Sequence, residues 1–143
     1  MAWELTMAMM LGFLLKHAVM DFFVQNRIPW MWMNKHRFCH PGGIAHALTH
    51  TVGTLAVLWP FVEFFERYSG DLLNWERLLY LTLAFEFVIH YFTDLFKMKI
   101  CRWRRWECNT SPYFWDMVGL DQLIHLLTYW VIIYAWVGMS VYL

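Results

Sequence analysis

Four pairs of side chains that can bind a metal ion recur along this chain, and in each pair the two members lie four residues apart. The pairs are His17 with Asp21, His46 with His50, His90 with Asp94, and Asp121 with His125. Residues at i and i+4 share one face of an α-helix. Four such faces turned inward bring together five imidazoles and three carboxylates, a set of donors suited to zinc, iron or manganese.

The pairs lie within four long apolar stretches. Of the 143 residues, 60% are hydrophobic and only 15% are charged, which is outside the usual range of soluble domains. The stretches cover about residues 2–26, 44–66, 76–97 and 118–143, and each is close to the ~20 residues that cross a bilayer. A soluble bundle would carry charges along the outside of every helix, whereas residues 126–143 contain none.

The sequence therefore predicts one all-α domain over residues 1–143, a polytopic membrane protein built as an antiparallel four-transmembrane-helix bundle with a buried metal site. Eight of the 11 Lys and Arg lie in or beside residues 28–43 and 97–116. By the positive-inside rule these segments are cytoplasmic and both termini are not. The expected location is the bacterial inner (cytoplasmic) membrane. A net charge of zero gives no indication of a nucleic-acid partner.

The four pairs also share one depth in this topology. They fall late in the first and third stretches and early in the second and fourth, so an up-down-up-down bundle places all of them in its cytoplasmic half. A turn at residues 69–71 and an N-cap at Asn74 are expected before the third helix. The basic, Trp-rich segment 99–116 is expected to form a short helix on the membrane surface.

Ionisable side chains are costly in a bilayer, at roughly 2.5–3.5 kcal/mol for a central Asp, so the three buried aspartates need compensation. One or two divalent transition metal ions would supply it, with zinc the first choice and manganese or iron the alternatives. Two ions about 3.5–4 Å apart would engage most of the eight donors. A single ion with three or four ligands would leave the other donors to support it.

Two further polar residues adjoin the pairs and are candidates for catalysis. Glu86 lies one turn before His90 and could act as a general base. Lys16, next to His17, could hold a substrate phosphate, or its ammonium could instead extend to the membrane interface.

The three cysteines fall in the segments predicted to be cytoplasmic, where thiols stay reduced and no disulfide is expected. A second zinc site could combine them with a histidine, but the spacing matches no standard zinc motif. The residues concerned are Cys39, His40, Cys101 and Cys108.

The ligand pairs carry a family resemblance when read with their neighbours. The motifs are His17-x-x-x-Asp21-Phe22 with Gln25, His46-x-x-x-His50, His90-x-x-x-Asp94 followed by Lys97, and Asp121-Gln122-x-x-His125-Leu126-Leu127. The pattern resembles that of a small integral membrane protein family of bacteria and their phages, whose function is unknown. The resemblance covers nearly the whole chain and implies the architecture but no reaction. A looser similarity links the chain to inner-membrane metal-dependent hydrolases, none of whose motifs it completes.

Three functions are compatible with these features. The leading hypothesis is a membrane-embedded metal-dependent hydrolase, in which water activated by the metal attacks an ester or phosphoester of a lipid-like or amphipathic substrate near the cytoplasmic face. The second is a non-enzymatic phage or bacterial membrane effector whose metal holds four helices together. The third is a metal or proton carrier. Expected partners are the lipid bilayer and an anionic lipid or amphipathic substrate, and an oligomer is compatible with the sequence.

Structural features would separate these hypotheses. A closed site with every metal position filled by protein favours the structural role, whereas a groove leading to an open position favours the enzyme. A carrier needs a second opening on the far side of the bundle.

Overall fold

The computed structural model describes residues 2–69 and 74–141, and this part of the chain is helical and contains no strand. The elements are α1 (Ala2–Ala18), a π-helical segment (Val19–Val24), α2 (Gln25–Arg27), α3 (Pro29–Met33), α4 (Pro41–Ser69), α5 (Trp75–Arg104) and α6 (Pro112–Val141). Four spans are long and apolar enough to cross a membrane: Trp3–Arg27, Pro41–Arg67, Trp75–Arg104 and Pro112–Met139. The predicted all-α membrane architecture with four long helices is thereby confirmed.

The four long helices form a closed ring in which α1 and α5 each pack between α4 and α6. Residues near the end of one helix contact residues near the start of a neighbouring helix. Phe65 in α4 stacks on Trp75 in α5 with ring centroids 4.5 Å apart. The indole N–H of Trp136 in α6 donates to the hydroxyl of Thr82 in α5 at 3.0 Å. Neighbouring helices therefore run antiparallel, as short connections require.

The two ends of this bundle differ in chemistry. The end distant from α2 and α3 is filled by a hydrophobic cluster, which we call the apolar core. Its buried members are Met9, Met10, Phe13, Leu58, Val62, Phe65, Trp75, Leu79, Tyr129, Ile132, Ile133 and Trp136. Among the described residues, the other end holds a smaller apolar cluster, whose buried members are Ala47, Tyr91 and Leu95. The buried histidines and aspartates are thus confined to the end that α2 and α3 cover.

The helix ends follow from local sequence signals. Pro41 opens α4, a position where its fixed φ and missing N–H are tolerated. Asn74 caps α5, because its side-chain oxygen accepts the N–H of Arg77 at 2.7 Å. Arg105 ends α5 in the left-handed region with φ 56°. The turn expected at residues 69–71 lies outside the described residues after Ser69.

The surface helix expected over residues 99–116 is wrong. Helix α5 continues to Arg104 and α6 begins at Pro112, so only residues 105–111 lie between the two helices. Basic residues do not end a helix by themselves, since arginine and lysine are good helix formers. The basic segment is therefore the last turns of α5.

Candidate metal site

Helix α5 gives the scale of the polar end of the bundle. Glu86, His90, Asp94 and Lys97 follow one another on one face of this helix at intervals of about one turn, or roughly 5–6 Å along its axis. Glu86, His90 and Asp94 are buried. The other long helices add partners at each of these levels. The polar residues therefore form a continuous stack from the apolar core to the surface covered by α2 and α3.

The first group of potential ligands comes from three elements. Asp21 lies in the π-helical segment, His46 and His50 in α4, and His90 in α5, and one donor atom of each lies within 4.8 Å of the others. Asp21 Oδ1 is 3.2 Å from His46 Nε2 and 3.1 Å from His50 Nε2. His46 Nε2 is 3.1 Å from His90 Nε2. Metal–donor bonds of about 2.0–2.1 Å place tetrahedral donors roughly 3.3 Å apart, so this group, which we call the histidine group, has the size of a site for one ion.

The second group, which we call the aspartate group, consists of Asp94, Asp121 and His125. Two lysines already neutralise its carboxylates. Lys97 Nζ lies 3.1 Å from Asp94 Oδ1 and 2.8 Å from Asp121 Oδ2. Lys35 Nζ lies 2.5 Å from Asp94 Oδ2. A metal ion could enter this group only by displacing the ammonium of Lys97.

His17 belongs to neither group and supports the first. Its Nε2 lies 3.1 Å from Asp21 Oδ2 and 2.9 Å from Gln122 Oε1. Its Nδ1 lies 2.9 Å from the hydroxyl of Tyr129. Because the ring is held from both sides, it fixes the orientation of the Asp21 carboxylate, a role typical of residues that surround metal ligands.

The imidazole rings are packed closely against one another. The centroids of His50 and His90 are 3.8 Å apart, and those of His90 and His125 are 4.2 Å apart. This spacing suits uncharged rings, since two imidazolium charges would repel each other, and uncharged imidazole is the form that binds metals. Within the described chain, the Nδ1 atoms of His46, His50 and His90 have no hydrogen-bond partner. Packing against neighbouring rings therefore orients these imidazoles. In metal sites a hydrogen bond from the second ring nitrogen to a carboxylate or carbonyl more often has this role.

Lys16 and Glu86 form an ion pair beneath the histidines. The Lys16 ammonium donates to Glu86 Oε1 and, at 3.1 Å, to the hydroxyl of Tyr129. Gly53 leaves room for the lysine, since a Cβ there would lie 2.7 Å from Lys16 Cγ. Tyr129 in turn contacts His17, so the pair is joined to the ligand layer. Both side chains are buried and neither lines the cleft described next. The catalytic roles of Glu86 and Lys16 stay predictions.

Two openings reach the aspartate group. The first, the polar cleft, has a volume of about 240 Å³ and is lined by Asp21, Gln25, Lys35, Asp94, Lys97 and Asp121 with four neighbours. The second, the apolar groove, has a volume of about 300 Å³ and runs between α5 and α6, where its walls include Val88, Phe92, Phe96, Leu120 and Ile124. Lys97 and Asp121 line both openings. This ion pair therefore borders both openings.

The segment between α2 and α4 is fixed over the cleft by polar contacts. Lys35 Nζ donates to Gln25 Oε1 at 2.5 Å in addition to its contact with Asp94. A guanidinium nitrogen of Arg102 lies 2.8 Å from His36 Nε2. Partial burial, and next the positive charge of Arg102, lower the pKa of His36 from its ordinary value. The segment thus contributes one of the two lysines of the aspartate group.

The cysteines form no second site in the described part of the chain. Cys39 and Cys108 are exposed, Cys101 is buried, and all three are free thiols. The groups of clustered metal-binding side chains found among the described residues contain no cysteine. The zinc site considered with His40 is therefore not formed.

The structure places all eight residues predicted as metal ligands at the same end of the bundle. They do not form one eight-donor cluster: four belong to the histidine group, three to the aspartate group, and His17 to neither. Lys35, Lys97 and Tyr129 were not predicted to take part. Sequence spacing could have indicated Lys97, three residues after Asp94, and Tyr129, four residues after His125. No local pattern marks Lys35, because its position depends on how the segment folds back over the bundle.

Comparison with known proteins places the chain in one family. Residues 9–142 match the model of a family described as "Protein of unknown function (DUF3307)". No curated protein matches the chain, and no solved structure does.

Proposed function

The chain belongs to the DUF3307 family, and from the geometry of its polar site we propose that it is a membrane-embedded metal-dependent hydrolase acting on an amphipathic substrate. The observation that carries the proposal is the polar cleft. It leads from the surface to three of the eight predicted ligands, Asp21, Asp94 and Asp121. A site that only holds helices together needs no such access.

One resident ion fits the arrangement best. The four donors of the histidine group lie at metal-site spacing, and only Asp21 among them is charged. In the aspartate group, Lys97 occupies the space between two carboxylates that a second ion would need. A divalent ion in the histidine group would supply Lewis acidity and activate a water molecule.

Asp121 takes the role of proton acceptor in this proposal, in place of Glu86. It is buried and borders both openings, and its Oδ1 has no hydrogen-bond partner within the described chain. Its other oxygen is held by Lys97 at 2.8 Å and by the amide of Gln122 at 3.2 Å. One oxygen of the carboxylate is thus held in place, and the other, which is buried 3.6 Å from His125 Nε2, is the proposed proton acceptor.

Carrier function is less well supported. A carrier needs a path from the ligands to the far end of the bundle, and the apolar core occupies that end. Phe13 stacks on Tyr129 directly beside the Lys16–Glu86 pair, with centroids 4.8 Å apart. Beyond it the aromatic side chains of Trp75 and Trp136 are fully buried. An ion or proton passing this way would meet apolar side chains over about half of the bundle.

A structural role for the metal remains the second candidate, because four protein donors complete the coordination of a tetrahedral zinc ion. Five- or six-coordinate manganese or iron would instead leave positions for water and substrate. The two functions therefore differ in the coordination of the bound ion.

X-ray absorption spectroscopy of the detergent-purified protein, combined with elemental analysis, tests the proposal. We expect about one ion per chain with at least one oxygen ligand that exchanges with solvent. An ion bound only by Asp21, His46, His50 and His90, with no exchangeable ligand, would support the structural role and reject the hydrolase.

A further inference from the structure

The apolar groove between α5 and α6 has the position and shape of a channel for a lipid chain. From Val88 to Lys97 it runs along ten residues of α5, a rise of roughly 14 Å at 1.5 Å per residue. Apart from Thr93, its walls are aliphatic and aromatic between Val88 and Phe96. Lys97 and Asp121, which lie at its polar side, also line the polar cleft. A molecule with one apolar chain and one polar head that extends around this ion pair would place its chain in the groove and its head in the cleft.

The charges around the Lys97–Asp121 ion pair determine which polar head group can bind in the cleft. Asp94 and Asp121 are matched by Lys35 and Lys97, which form ion pairs with them. A divalent ion in the histidine group would face the carboxylate of Asp21, which no lysine pairs with, and also Asp94 Oδ2, which lies 3.3 Å from His46 Nε2 and is already paired with Lys35. With its ion bound the site therefore carries one positive charge in excess. The complementary ligand is a monoanion, and a phosphodiester is the monoanion that membrane lipids carry.

We infer that the site binds a bilayer phospholipid, with one acyl chain in the apolar groove and its phosphodiester in the polar cleft beside Lys97. This inference rests on the proposed metal site for the charge of the cleft, and it names the substrate class of that site. Lys97 serves as the specificity-determining residue, because its ammonium is the cation that borders both openings.

Photo-crosslinking tests the inference directly. The full-length protein in vesicles is exposed to phosphatidylglycerol that carries a diazirine in one acyl chain, and the modified residues are mapped by mass spectrometry. A chain-matched diacylglycerol probe lacks the phosphate. We expect phosphatidylglycerol to label groove residues of α5 and α6 at least about five-fold more than diacylglycerol does, since only the former pairs with the excess charge.

Two leucines of α6 provide a matched pair of variants. Leu120 and Leu123 are about equally exposed, at 49% and 51%, but only Leu120 lines the groove. Leu120→Trp should fill the groove and reduce groove labelling about five-fold or more, whereas Leu123→Trp should leave it unchanged. Lys97→Gln, measured without added metal so that no second ion enters the aspartate group, should remove the preference for phosphatidylglycerol. Retention of at least one ion per chain in each variant shows that the bundle remains folded.

The outcomes separate this inference from the proposed function. Labelling spread evenly over the lipid-facing surface, or equal labelling by both probes, overturns the lipid site even when one ion per chain is bound. Labelling confined to the groove in a protein that binds no metal would support the acyl-chain site, and it would reject both the metal-dependent hydrolase and the charge argument for the head group. Equal loss of labelling in Leu120→Trp and Leu123→Trp would also overturn the inference, because the loss would then not result from filling the groove.

Discussion

The Nε2 atoms of His46 and His90 face each other across α4 and α5 at 3.1 Å. A neutral imidazole carries one ring proton, so a hydrogen bond between these atoms uses the proton of one ring and the lone pair of the other. The Nδ1 atoms of both rings have no hydrogen-bond partner in the described chain. A cation between the rings would use both Nε2 lone pairs at once. The contact therefore has the geometry expected of two ligands of one ion.

Replacing a ligand of the histidine group should release the ion. His50→Ala is expected to lose bound metal and to lower the melting temperature together, because metal binding contributes to folding. Elemental analysis by mass spectrometry and thermal unfolding in detergent measure the two effects. His36→Ala, which changes a histidine outside the bundle, should keep its metal. Wild-type protein that carries little metal and takes up no zinc, manganese or iron would contradict the prediction.

Removing the lysine of the aspartate group should open a second metal site. Lys97→Gln leaves Asp94 and Asp121 without the ammonium between them, so metal titration should rise from one ion per chain towards two. Without added metal the variant should be less stable by about 3–5 kcal/mol, the usual cost of breaking a buried ion pair. Lys99→Gln removes an exposed lysine two residues away and should change neither quantity. Unchanged metal stoichiometry in Lys97→Gln would argue against an aspartate group that can bind metal.

Kinetics should distinguish the site from the basic surface at the end of α5. Asp121→Asn should reduce turnover of a phosphodiester lipid about 10²–10⁴-fold by removing the proton acceptor. Arg104→Ala and Arg105→Ala should mainly raise the apparent substrate constant, since they weaken attraction to an anionic head group. An Asp121→Asn enzyme with normal turnover would exclude the proposed role of this carboxylate.

Lys16 and Glu86 should stabilise the fold only when both charges are present. Lys16→Met leaves the Glu86 carboxylate buried without its cation, which typically costs about 3–5 kcal/mol. The double variant Lys16→Met with Glu86→Gln should recover part of this loss, because no charge then remains unpaired. Thermal unfolding of both single variants and the double variant gives the coupling energy. Additive losses would show that the two side chains do not interact.

The orientation of the chain can be tested through its own cysteines. Both basic segments are predicted to be cytoplasmic, and Cys39 and Cys108 are exposed in them, whereas Cys101 is buried. An impermeant maleimide should therefore modify Cys39 and Cys108 in opened cells but not in intact ones. Cys101 should react slowly in both and serves as the internal control. Efficient modification in intact cells would reverse the predicted orientation.

The architecture and the convergence of the ligand pairs could be anticipated because both depend on local sequence. Apolar stretches of membrane length predict helices, and i, i+4 spacing fixes which side chains share a helix face. His90 and Asp94 therefore share a face whatever the rest of the chain does. Antiparallel packing then requires pairs at matching depth to meet.

Features set by tertiary contacts could not be anticipated. The π-helical segment around Asp21 follows no hydropathy period, although such segments are frequent at functional sites. Lys35 reaches Asp94 from 59 residues away in sequence. Glu86 was expected to act on substrate, but the chain gives it Lys16 as a partner from another helix. In each case the deciding contact joins distant parts of the chain.

Because of the apolar core, the site of the proposed enzyme can be reached from one face of the membrane only. Since its aromatic and aliphatic side chains fill the end of the bundle distant from α2 and α3, substrate must enter and products must leave at the same membrane face. Such an enzyme would act on one leaflet only. In vesicles where all copies point the same way, it could consume no more than about half of the lipid until slow transbilayer exchange supplied the rest.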